Sequence, residues 1–240
     1  MLVKTKAIVL HKIKYSNSSL IVNLYTEEWG KQSILVRGVL SKKSKINSSY
    51  LDYMNIIEIE AWKGKNSDLL VARDVQLAYH TNSISESLLK KTIAVYMSEL
   101  LYRTINVPDA DKELFDFVCD AVHILDSEEY NQHFPILFLI KLLHFLGISP
   151  INNFDHRNKI FDMRTSKYIP DFNDINYCFD AETSRILSIY LNVQNDYSVD
   201  ENIGRRERNQ VLDDVLKYLT YHYSYFKGLK SLEVLKSVLS

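Results

Sequence analysis

WGKQSILVRGVLSKKSK, residues 29–45, contains a turn, a strand and a cationic loop in direct succession. Gly30-Lys31 is typical of a hairpin turn, and the residues from Gln32 to Val39 follow the pattern of a strand. Three lysines then crowd a loop that has no acidic residue, at positions 42, 43 and 45. Because neighbouring ammonium groups repel one another, this loop is predicted to be exposed, either simply solvated or held to meet a polyanion.

Four more runs around this stretch have the composition of strands, rich in Ile, Val, Leu and Tyr. In the run that ends at Trp62, the apolar residues Ile57, Ile59 and Ala61 share one face and alternate with polar ones, which indicates a half-buried sheet. Five strands in about eighty residues predict a small OB-like barrel, and an SH3-like barrel would have the same strand count. The predicted strands are Lys6 to Ile13, Leu20 to Tyr25, Gln32 to Val39, Asn55 to Trp62 and Leu69 to Gln76.

From Ser83 onward the apolar residues recur at intervals of three and four, as in amphipathic helices. Ser83 and Glu86 have the spacing of a capping box for the first helix. The run from Phe134 to Leu146 is apolar on nearly every side, which predicts a helix at the centre of a bundle. The first predicted helix runs from Ser83 to near Pro108. The others span about Asp111 to Leu125, Phe134 to Leu146, Ala181 to Val193, Arg205 to Phe226 and Ser231 to Leu239.

The predicted fold class is therefore multidomain β plus α. An OB-like barrel over residues 1–80 is followed by an all-α helical domain over residues 81–240, with a polar, irregular insertion at about 149–180. The net charge of −1 hides a segregation of charge between these two parts. Residues 1–80 hold 12 Lys and Arg against 7 Asp and Glu, whereas residues 81–240 hold 17 against 23. This asymmetry favours a basic module that meets a polyanion, joined to an acidic module that does not.

Composition also excludes several classes of protein. The chain has six glycines, and no two or three of them make a phosphate-cradling loop. Cys119 and Cys178 are too few and too far apart for a disulfide scaffold, and they suit a reducing cytoplasm. No apolar run is long enough for a signal-peptide core or a membrane span, so the protein is predicted to be soluble and cytoplasmic.

The residue types that commonly act in catalysis or bind metals are not arranged in this sequence with the spacing of a known kind of site. His123, His133 and His144 have no Cys or Asp partners at metal-ligand spacing. Asp213-Asp214 suggests a magnesium site, but its apolar neighbours at helical spacing favour a solvated helix face. The chain is therefore predicted to hold no metal or cofactor and to be no enzyme, and the lack of clustered acids disfavours a nucleic-acid hydrolase.

Polyanion binding by the barrel is the chemistry that remains. Cations that follow a phosphodiester backbone, with aromatic faces on which bases stack, are the apparatus for binding single strands. Tyr15 and Tyr50 are interleaved with the cations, and Tyr25 and Trp29 either line the same surface or close the barrel core. The candidate DNA-binding residues are Lys12, Lys14, Lys31, Arg37, Lys42, Lys43, Lys45, Lys63, Lys65, Tyr25 and Trp29.

Three segments resemble a known family. KTKAIVL at residues 4–10 and SLIVNLYTEEWGKQSILVRGVLSKKSK at 19–45 resemble the N-terminal OB domain of RecO, the bacterial recombination mediator. RRERNQVLDDVLKYLTYHYSYFKGLKSLEVL at 205–235 resembles the end of the helical domain of that family. The agreement spans nearly the whole chain in the family's order. It includes Gly30-Lys31, Arg37-Gly38, the lysine loop, Arg208, Tyr218, His222 and Lys230-Ser231-Leu232.

The resemblance implies a nucleoid-associated protein that binds single- and double-stranded DNA and anneals complementary strands. It also implies cooperation with RecR, contact with the C-terminal tail of single-strand DNA-binding protein, and help in loading RecA. Many members carry a four-cysteine zinc module where this chain has Asn152-Asn153-Phe154-Asp155 through Tyr168-Ile169-Pro170. No cysteine lies there, so the insertion is expected to hold its shape by packing rather than by zinc.

The helical domain is expected to meet protein partners. An acidic tail with an apolar end would need a hydrophobic notch rimmed by cations, although each candidate also suits an ordinary surface salt bridge. If the basic loop is only solvated, the alternative is an OB-fold protein-interaction scaffold that does not bind nucleic acid. The candidate partner-binding residues are Arg103, Lys141, Arg205, Arg206 and Arg208.

Overall fold

The computed structural model describes residues 2–62, 69–105, 109–127, 129, 131–172, 174–194 and 197–238. The chain divides into two compact units, residues 1–129 and residues 130–240. Within these described ranges, the first unit contains a barrel and three α-helices, and the second contains four α-helices and a small two-stranded sheet. None of the helices in the described ranges has the length and apolar character needed to cross a bilayer.

Five strands close into a barrel in the order β1-β2-β3-β5-β4, and β4 pairs back onto β1. All pairs are antiparallel except β3 and β5, which are parallel. This arrangement confirms the OB-like barrel that the strand count predicts. The strands are β1 Leu2–Lys14, β2 Leu20–Thr26, β3 Gly30–Val36, β4 Ile56–Trp62 and β5 Leu69–Leu77.

The barrel core is made of alternate residues from every strand, as a sheet with one buried face requires. In β4, Ile57, Ile59 and Ala61 are fully buried, which confirms the half-buried pattern of that strand. Apolar residues outside the strands complete the core, and Val39 and Leu51 are the buried members among them. The loop after β3 is therefore anchored in the barrel by Val39.

The turn between β2 and β3 differs from the predicted one. The prediction puts the turn at Gly30-Lys31, whereas β3 already begins at Gly30 and the turn lies at residues 27–29. The Thr26 hydroxyl donates to the Gly30 carbonyl at 2.9 Å and accepts the Trp29 N–H at 3.0 Å. The Thr26 side chain therefore closes a turn that ends before Gly30. Gly30 itself has a positive φ of 61°, which glycine adopts without strain.

Three helices complete the first unit: α1 Asn82–Glu86, α2 Leu88–Thr104 and α3 Lys112–Ser127. The predicted capping box at Ser83 is wrong, because the chain breaks at Ser87 and two helices replace one. The Ser87 hydroxyl accepts the Lys90 N–H and caps α2. The Asp126 carboxylate accepts the Ile84 N–H at 2.8 Å, so a side chain from α3 satisfies an amide in α1.

In the second unit, α4 is buried along nearly its whole length, which confirms the central helix predicted from its all-round apolar composition. It packs against α5 and α6. Two short strands form an antiparallel pair within the predicted irregular insertion. The elements are α4 Phe134–Phe145, β6 Ile160–Asp162, β7 Lys167–Ile169, α5 Ala181–Asn192, α6 Arg205–His222 and α7 Leu232–Val238.

The border between the compact units does not coincide with the predicted domain boundary at residue 80. Helices α1, α2 and α3 belong to the same unit as the barrel. The Ser98 hydroxyl, for example, donates to the Leu10 carbonyl of β1, and α2 packs on that strand. The division of the sequence into domains at residues 80 and 81 stays a prediction.

Candidate nucleic-acid interface

The segment from Arg37 to Lys45, here called the basic loop, is built by short-range hydrogen bonds. The Ser41 N–H donates to the Gly38 carbonyl at 3.0 Å, and the Ser44 N–H donates to the Ser41 carbonyl at 3.1 Å. Gly38 adopts a φ of 67°, a conformation that glycine allows without strain. With Val39 buried beneath it, the loop has a fixed shape that presents its lysines outward.

The basic loop lies beside the hairpin that joins β1 and β2. The Leu40 N–H donates to the Ser18 carbonyl at 2.9 Å, which ties the two loops together. Across the sheet, Lys14 pairs with Leu20, and Leu20 pairs with Val36. Lys14 therefore lies about 10 Å from the end of β3, two strand spacings away.

Five cations share this end of the barrel and are all exposed. None of the five makes an ion pair within the described part of the chain. Other exposed barrel cations do, since Lys4 pairs with Glu58 at 3.0 Å and Arg73 pairs with Glu60 at 3.4 Å. The five cations, here called the basic-loop surface, are Lys14, Arg37, Lys42, Lys43 and Lys45.

Lys12 lies next to this surface but is already paired. Its ammonium nitrogen lies 2.7 Å from Asp52 and 5.4 Å from the centre of the Tyr53 ring. The pair is half exposed, so its net stabilisation is small and a phosphate can compete for the lysine. Asp52 is the residue that the sequence interpretation missed, because nothing local links it to β1.

Lys31 does not belong to the basic-loop surface. Its ammonium group donates to the carbonyls of Tyr102 and Ile105, at 2.5 and 2.9 Å, where α2 ends. It also lies 4.4 Å from the centre of the Tyr102 ring, and burial lowers its pKa. A lysine with these partners caps a helix and neutralises the negative end of its dipole, so the predicted phosphate contact at Lys31 does not fit this structure.

The aromatic residues considered for DNA binding differ in their exposure to solvent. Tyr25 is only 1% exposed, and its hydroxyl donates to the Asp111 carbonyl at 3.2 Å. Burial raises the pKa of Tyr25 to about 12. Its ring is closed to a nucleobase, which corrects its assignment as a DNA-binding residue. Trp29 is half-buried and packs against the barrel core, whereas Tyr15 is 61% exposed beside Lys14.

Lys63 and Lys65 lie outside the described residues. The remaining arrangement has the chemistry of a polyanion site, since it offers several ammonium and guanidinium groups on an open surface with an exposed aromatic ring at its edge. Within the described ranges, no group of three or more His, Cys, Asp or Glu residues has the geometry to hold a metal ion.

The comparisons with known proteins agree with a barrel followed by a helical region. A family model described as recombination protein O N terminal matches residues 1–78, and one described as recombination protein O C terminal matches residues 85–233. The chain belongs to the RecO family.

Similar proteins extend over the same length. The chain is 34% identical over 242 residues to the DNA repair protein RecO of Flavobacterium psychrophilum, covering 100% of both chains. It is 32% identical to the DNA repair protein RecO of Bacteroides fragilis, covering 99% of each chain. It is 30% identical to that of Phocaeicola vulgatus, covering 100% of each. The likeness to RecO proteins therefore includes both compact units.

The insertion of this RecO family member does not fit a zinc module. The Asn153 amide accepts the Tyr168 N–H at 2.8 Å and donates to the Tyr168 carbonyl at 2.9 Å, as a paired strand would. The Asp155 carboxylate accepts the N–H groups of Arg157 and Asn158, both at 2.7 Å. Phe161 packs edge-on against Tyr168. Amide pairs, a carboxylate-bound turn and aromatic packing therefore hold this segment in shape, as thiolates do around a metal.

Most of the predicted partner-binding cations hold structural contacts. Arg103 pairs with Glu99 at 2.7 Å, and Arg208 donates to the Ile203 carbonyl at 2.5 Å. Lys141 donates to the Gln194 carbonyl at 2.6 Å, and Arg205 to the Lys236 carbonyl at 3.1 Å. Arg206 is exposed. Arg103 belongs to the first unit and the other four to the second, and their role in binding partners stays a prediction.

Proposed function

We propose that this protein is a DNA-binding recombination mediator of DNA repair. It binds single- and double-stranded DNA through the barrel, anneals complementary strands and, with RecR, helps to load the recombinase RecA. The observation that carries the proposal is the basic-loop surface, whose five exposed cations have no ion-pair partner within the described residues. Membership of a family whose relatives are DNA repair proteins supports the same conclusion.

Strand annealing suits an open cationic surface. Two polyanions approach each other only when their phosphates are neutralised, and the bases pair only when their edges stay accessible. Lysines on a shallow face meet both conditions, whereas a closed active site does not. The proposed role needs no covalent chemistry, and it is the role of a binding protein rather than of an enzyme.

The strength of binding should depend steeply on salt. Each phosphate contact to a single strand releases about 0.7 of a counterion, so five contacts give a slope near −3.5 in a plot of log affinity against log salt. A surface that is merely solvated would give no binding and no slope. The slope therefore separates a mediator from a scaffold that meets only proteins.

The loop lysines provide the direct test. Reversal of Lys42, Lys43 and Lys45 to glutamate should weaken binding of a labelled single strand at least tenfold at low salt, because three phosphate contacts become repulsions. A matched control reverses Lys167, Lys217 and Lys227, three exposed lysines of the second unit, with the same change in net charge. Equal weakening by both triple variants, or none by the first, would place the DNA site elsewhere.

Annealing and hydrolysis are separated by a second measurement. Complementary strands that carry a donor and an acceptor dye should pair faster with the protein than without it, and the triple loop variant should lose most of this acceleration. Incubation of labelled DNA with the protein and Mg²⁺ should leave the DNA intact. Shortened products would identify a nuclease and overturn the proposal.

The partners are RecR and the acidic C-terminal tail of single-strand DNA-binding protein, in the cytoplasm and on the nucleoid. Arg206 is an exposed member of the predicted partner-binding cations, so it is the one to change. Titration of the full chain with a tail peptide should show binding that Arg206→Glu weakens and Lys217→Glu does not. No peptide binding to the unaltered chain would remove this partner from the proposal.

A further inference from the structure

A cleft lies between the barrel and the helices α1 and α2, wholly within the first unit. Its volume is about 520 Å³, within the range of roughly 300 to 1,000 Å³ that is usual for small-molecule and cofactor sites. The wall from the barrel side contains Lys12 and Tyr53, and the wall from the helical side contains Lys91 and Val95. His80 lies at the junction between β5 and α1.

A second cavity of about 380 Å³ adjoins this cleft on the side of the basic loop. Lys12, Ser49 and Asp52 line both cavities. The second cavity also reaches Leu20 and Leu40, and Leu40 is a residue of the basic loop. A chain of nucleotides that crosses the basic-loop surface can therefore continue past Lys12 into the cleft.

The charges of the cleft suit an anion. Two lysines face it, and Asp52, the one acid among the described residues that line it, is already paired with Lys12 at 2.7 Å. Lys91 is exposed on the first turns of α2. The walls between these charges are largely apolar, with Ile84 and Val95 from the helices. Cations at the rim and an apolar interior match a nucleotide, whose phosphate is charged and whose base is flat and weakly polar.

The side chains of Asn55 and Thr81 in the cleft wall bind protein groups rather than being left for a ligand. The Asn55 amide donates to the Ser49 carbonyl at 2.9 Å, and the Thr81 hydroxyl donates to Asn55 at 2.8 Å. With these two side chains occupied, a ligand would be held chiefly by charge, stacking and shape. This is the pattern of single-strand binding without sequence preference.

We propose that the cleft holds an unpaired nucleotide of the single strand that crosses the basic-loop surface. The base lies against Tyr53 and the apolar wall, and the flanking phosphates meet Lys12 and Lys91. The inference rests on the proposed DNA-binding function and extends it. A paired base cannot enter the cleft, so the cleft gives the protein a preference for single strands over duplex.

Two variants test the cleft. Lys91→Gln removes one phosphate contact, and Val95→Trp fills the space where the base would lie. Each should weaken binding of a single-stranded oligonucleotide about three- to fivefold, and Lys91→Gln should lower the salt slope by about 0.7. Binding of a blunt hairpin duplex should stay within about twofold of the unaltered chain, the result expected when the phosphate contacts of the loop are intact.

The control is Lys6→Glu, at an exposed barrel lysine that lines neither cavity. It should not change the ratio of single-strand to duplex affinity.

The fluorescence of 2-aminopurine in the oligonucleotide gives a readout that a folding defect does not imitate. A base that enters the cleft is unstacked from its neighbours, so its fluorescence should rise on binding, and Val95→Trp should abolish that rise while circular dichroism stays the same. Unaltered single-strand binding in both cleft variants, together with weak binding in the triple loop variant, would overturn this inference and leave the proposed function standing. No binding by the unaltered chain would overturn both.

The cleft variants also address a different occupant. If they leave DNA binding unchanged but weaken binding of an acidic peptide with an apolar end, the cleft is a peptide site and the inference is wrong. The expected result is single-strand binding that is about three- to fivefold weaker in the cleft variants, with duplex affinity within about twofold and peptide affinity unchanged.

Discussion

Lys31 and Lys42 lie in the same short stretch of sequence, and the structure gives them opposite surroundings. The Lys31 ammonium group is half-buried and donates to two carbonyls at the end of α2. The Lys42 side chain is exposed on the basic loop. Lysines that lie close together in the sequence therefore need not share one surface of the folded chain. What decides the role of each lysine is whether another element supplies acceptors.

The difference has a physical origin in the two segments. Lys31 follows a tight turn, where strand pairing fixes its direction toward the helix. Lys42 belongs to a loop whose amides bond to carbonyls within the loop itself, and its side chain extends into solvent. A change at Lys31 should therefore alter stability, and a change at Lys42 should alter DNA affinity.

The largest expected effect is that of Lys31→Glu on stability. A carboxylate would face the carbonyls of Tyr102 and Ile105 in a half-buried site, and such an unpaired charge costs about 4 kcal/mol. Urea denaturation followed by tryptophan fluorescence measures this loss in the barrel, because both tryptophans, Trp29 and Trp62, lie there. Lys42→Glu is the matched control and should leave the denaturation midpoint nearly unchanged.

An equal stability of the barrel in Lys31→Glu and in the unaltered chain would contradict the structural role of Lys31. In that case the ammonium group is replaceable at the end of α2, and Lys31 is again a candidate for phosphate binding. A second variant, Lys31→Met, keeps the aliphatic stem over Tyr102 and loses only the charge and its hydrogen bonds. Its loss of stability should be smaller than that of the glutamate.

The second unit offers a buried group of a different kind. His133 is 6% exposed, and its Nδ1 lies 2.9 Å from the Tyr190 hydroxyl. Burial, with a contribution from the charge of Arg208, lowers the pKa of His133 from 6.5 to about 4. The unfolded chain therefore binds a proton at this residue between pH 6.5 and about 4 while the folded chain does not. The free energy of unfolding should fall as the pH falls through that window, by up to about 3 kcal/mol.

His133→Gln should flatten this pH dependence, because glutamine does not titrate. The control is His144→Gln, which removes an exposed histidine of α4, the helix that His133 immediately precedes. Urea denaturation followed by the helical circular dichroism band, at several pH values between 6.5 and about 4, compares the two variants. Parallel curves for both variants would show that His133 is protonated in the folded chain.

Much of the fold follows from the sequence, and the successes have a common cause. Alternation of apolar and polar residues predicts β4 closely, because one face of that strand is fully buried. The apolar residues on nearly every side of α4 predict its central position, because that helix is also buried. Burial of large apolar areas supplies most of the favourable free energy of folding. The apolar pattern in the sequence is therefore the most reliable predictor of structure.

The misses depend on groups that are far apart in the chain. The carbonyls that hold Lys31 lie 71 and 74 residues away from it, and no local signal indicates them. The Asp126 carboxylate that satisfies an amide of α1 lies on another helix, 42 residues along the chain from Ile84. Strand order is equally non-local, since the parallel pairing of β3 and β5 cannot be inferred from a strand count.

The candidate site was predictable in part. A loop with three lysines and no acid is exposed because its charges cannot be buried without partners, and the structure places them outward. The cleft beside it was not predictable, because its lining joins Lys12 of β1 to Lys91 of α2. Tyr25 and Tyr15 carry the same side chain, and only their positions in the barrel separate a core residue from a surface one.

Tyr15 and Tyr25 should differ in their contribution to DNA binding, by a smaller amount than the effects above. Tyr15 is exposed beside the basic-loop surface, so its ring is open to a base, whereas the Tyr25 ring is buried. Stacking on one aromatic ring contributes about 1 kcal/mol at the lower end of its range, so Tyr15→Ser should weaken single-strand binding about fivefold. Tyr225→Ser is the control, at a tyrosine of the second unit that is 81% exposed, and it should change little.

Binding of duplex DNA shows whether lost stacking explains the weaker binding of Tyr15→Ser. The bases of a duplex are already stacked on one another, so this variant should bind duplex DNA with nearly unchanged affinity. The salt slope of the variant should equal that of the unaltered chain, because no phosphate contact is lost. Equal weakening with single-strand and duplex DNA would indicate a disturbed hairpin rather than a lost stacking face. In that case the exposed ring acts through the shape of the loop, and the basic-loop surface binds DNA by its charges alone.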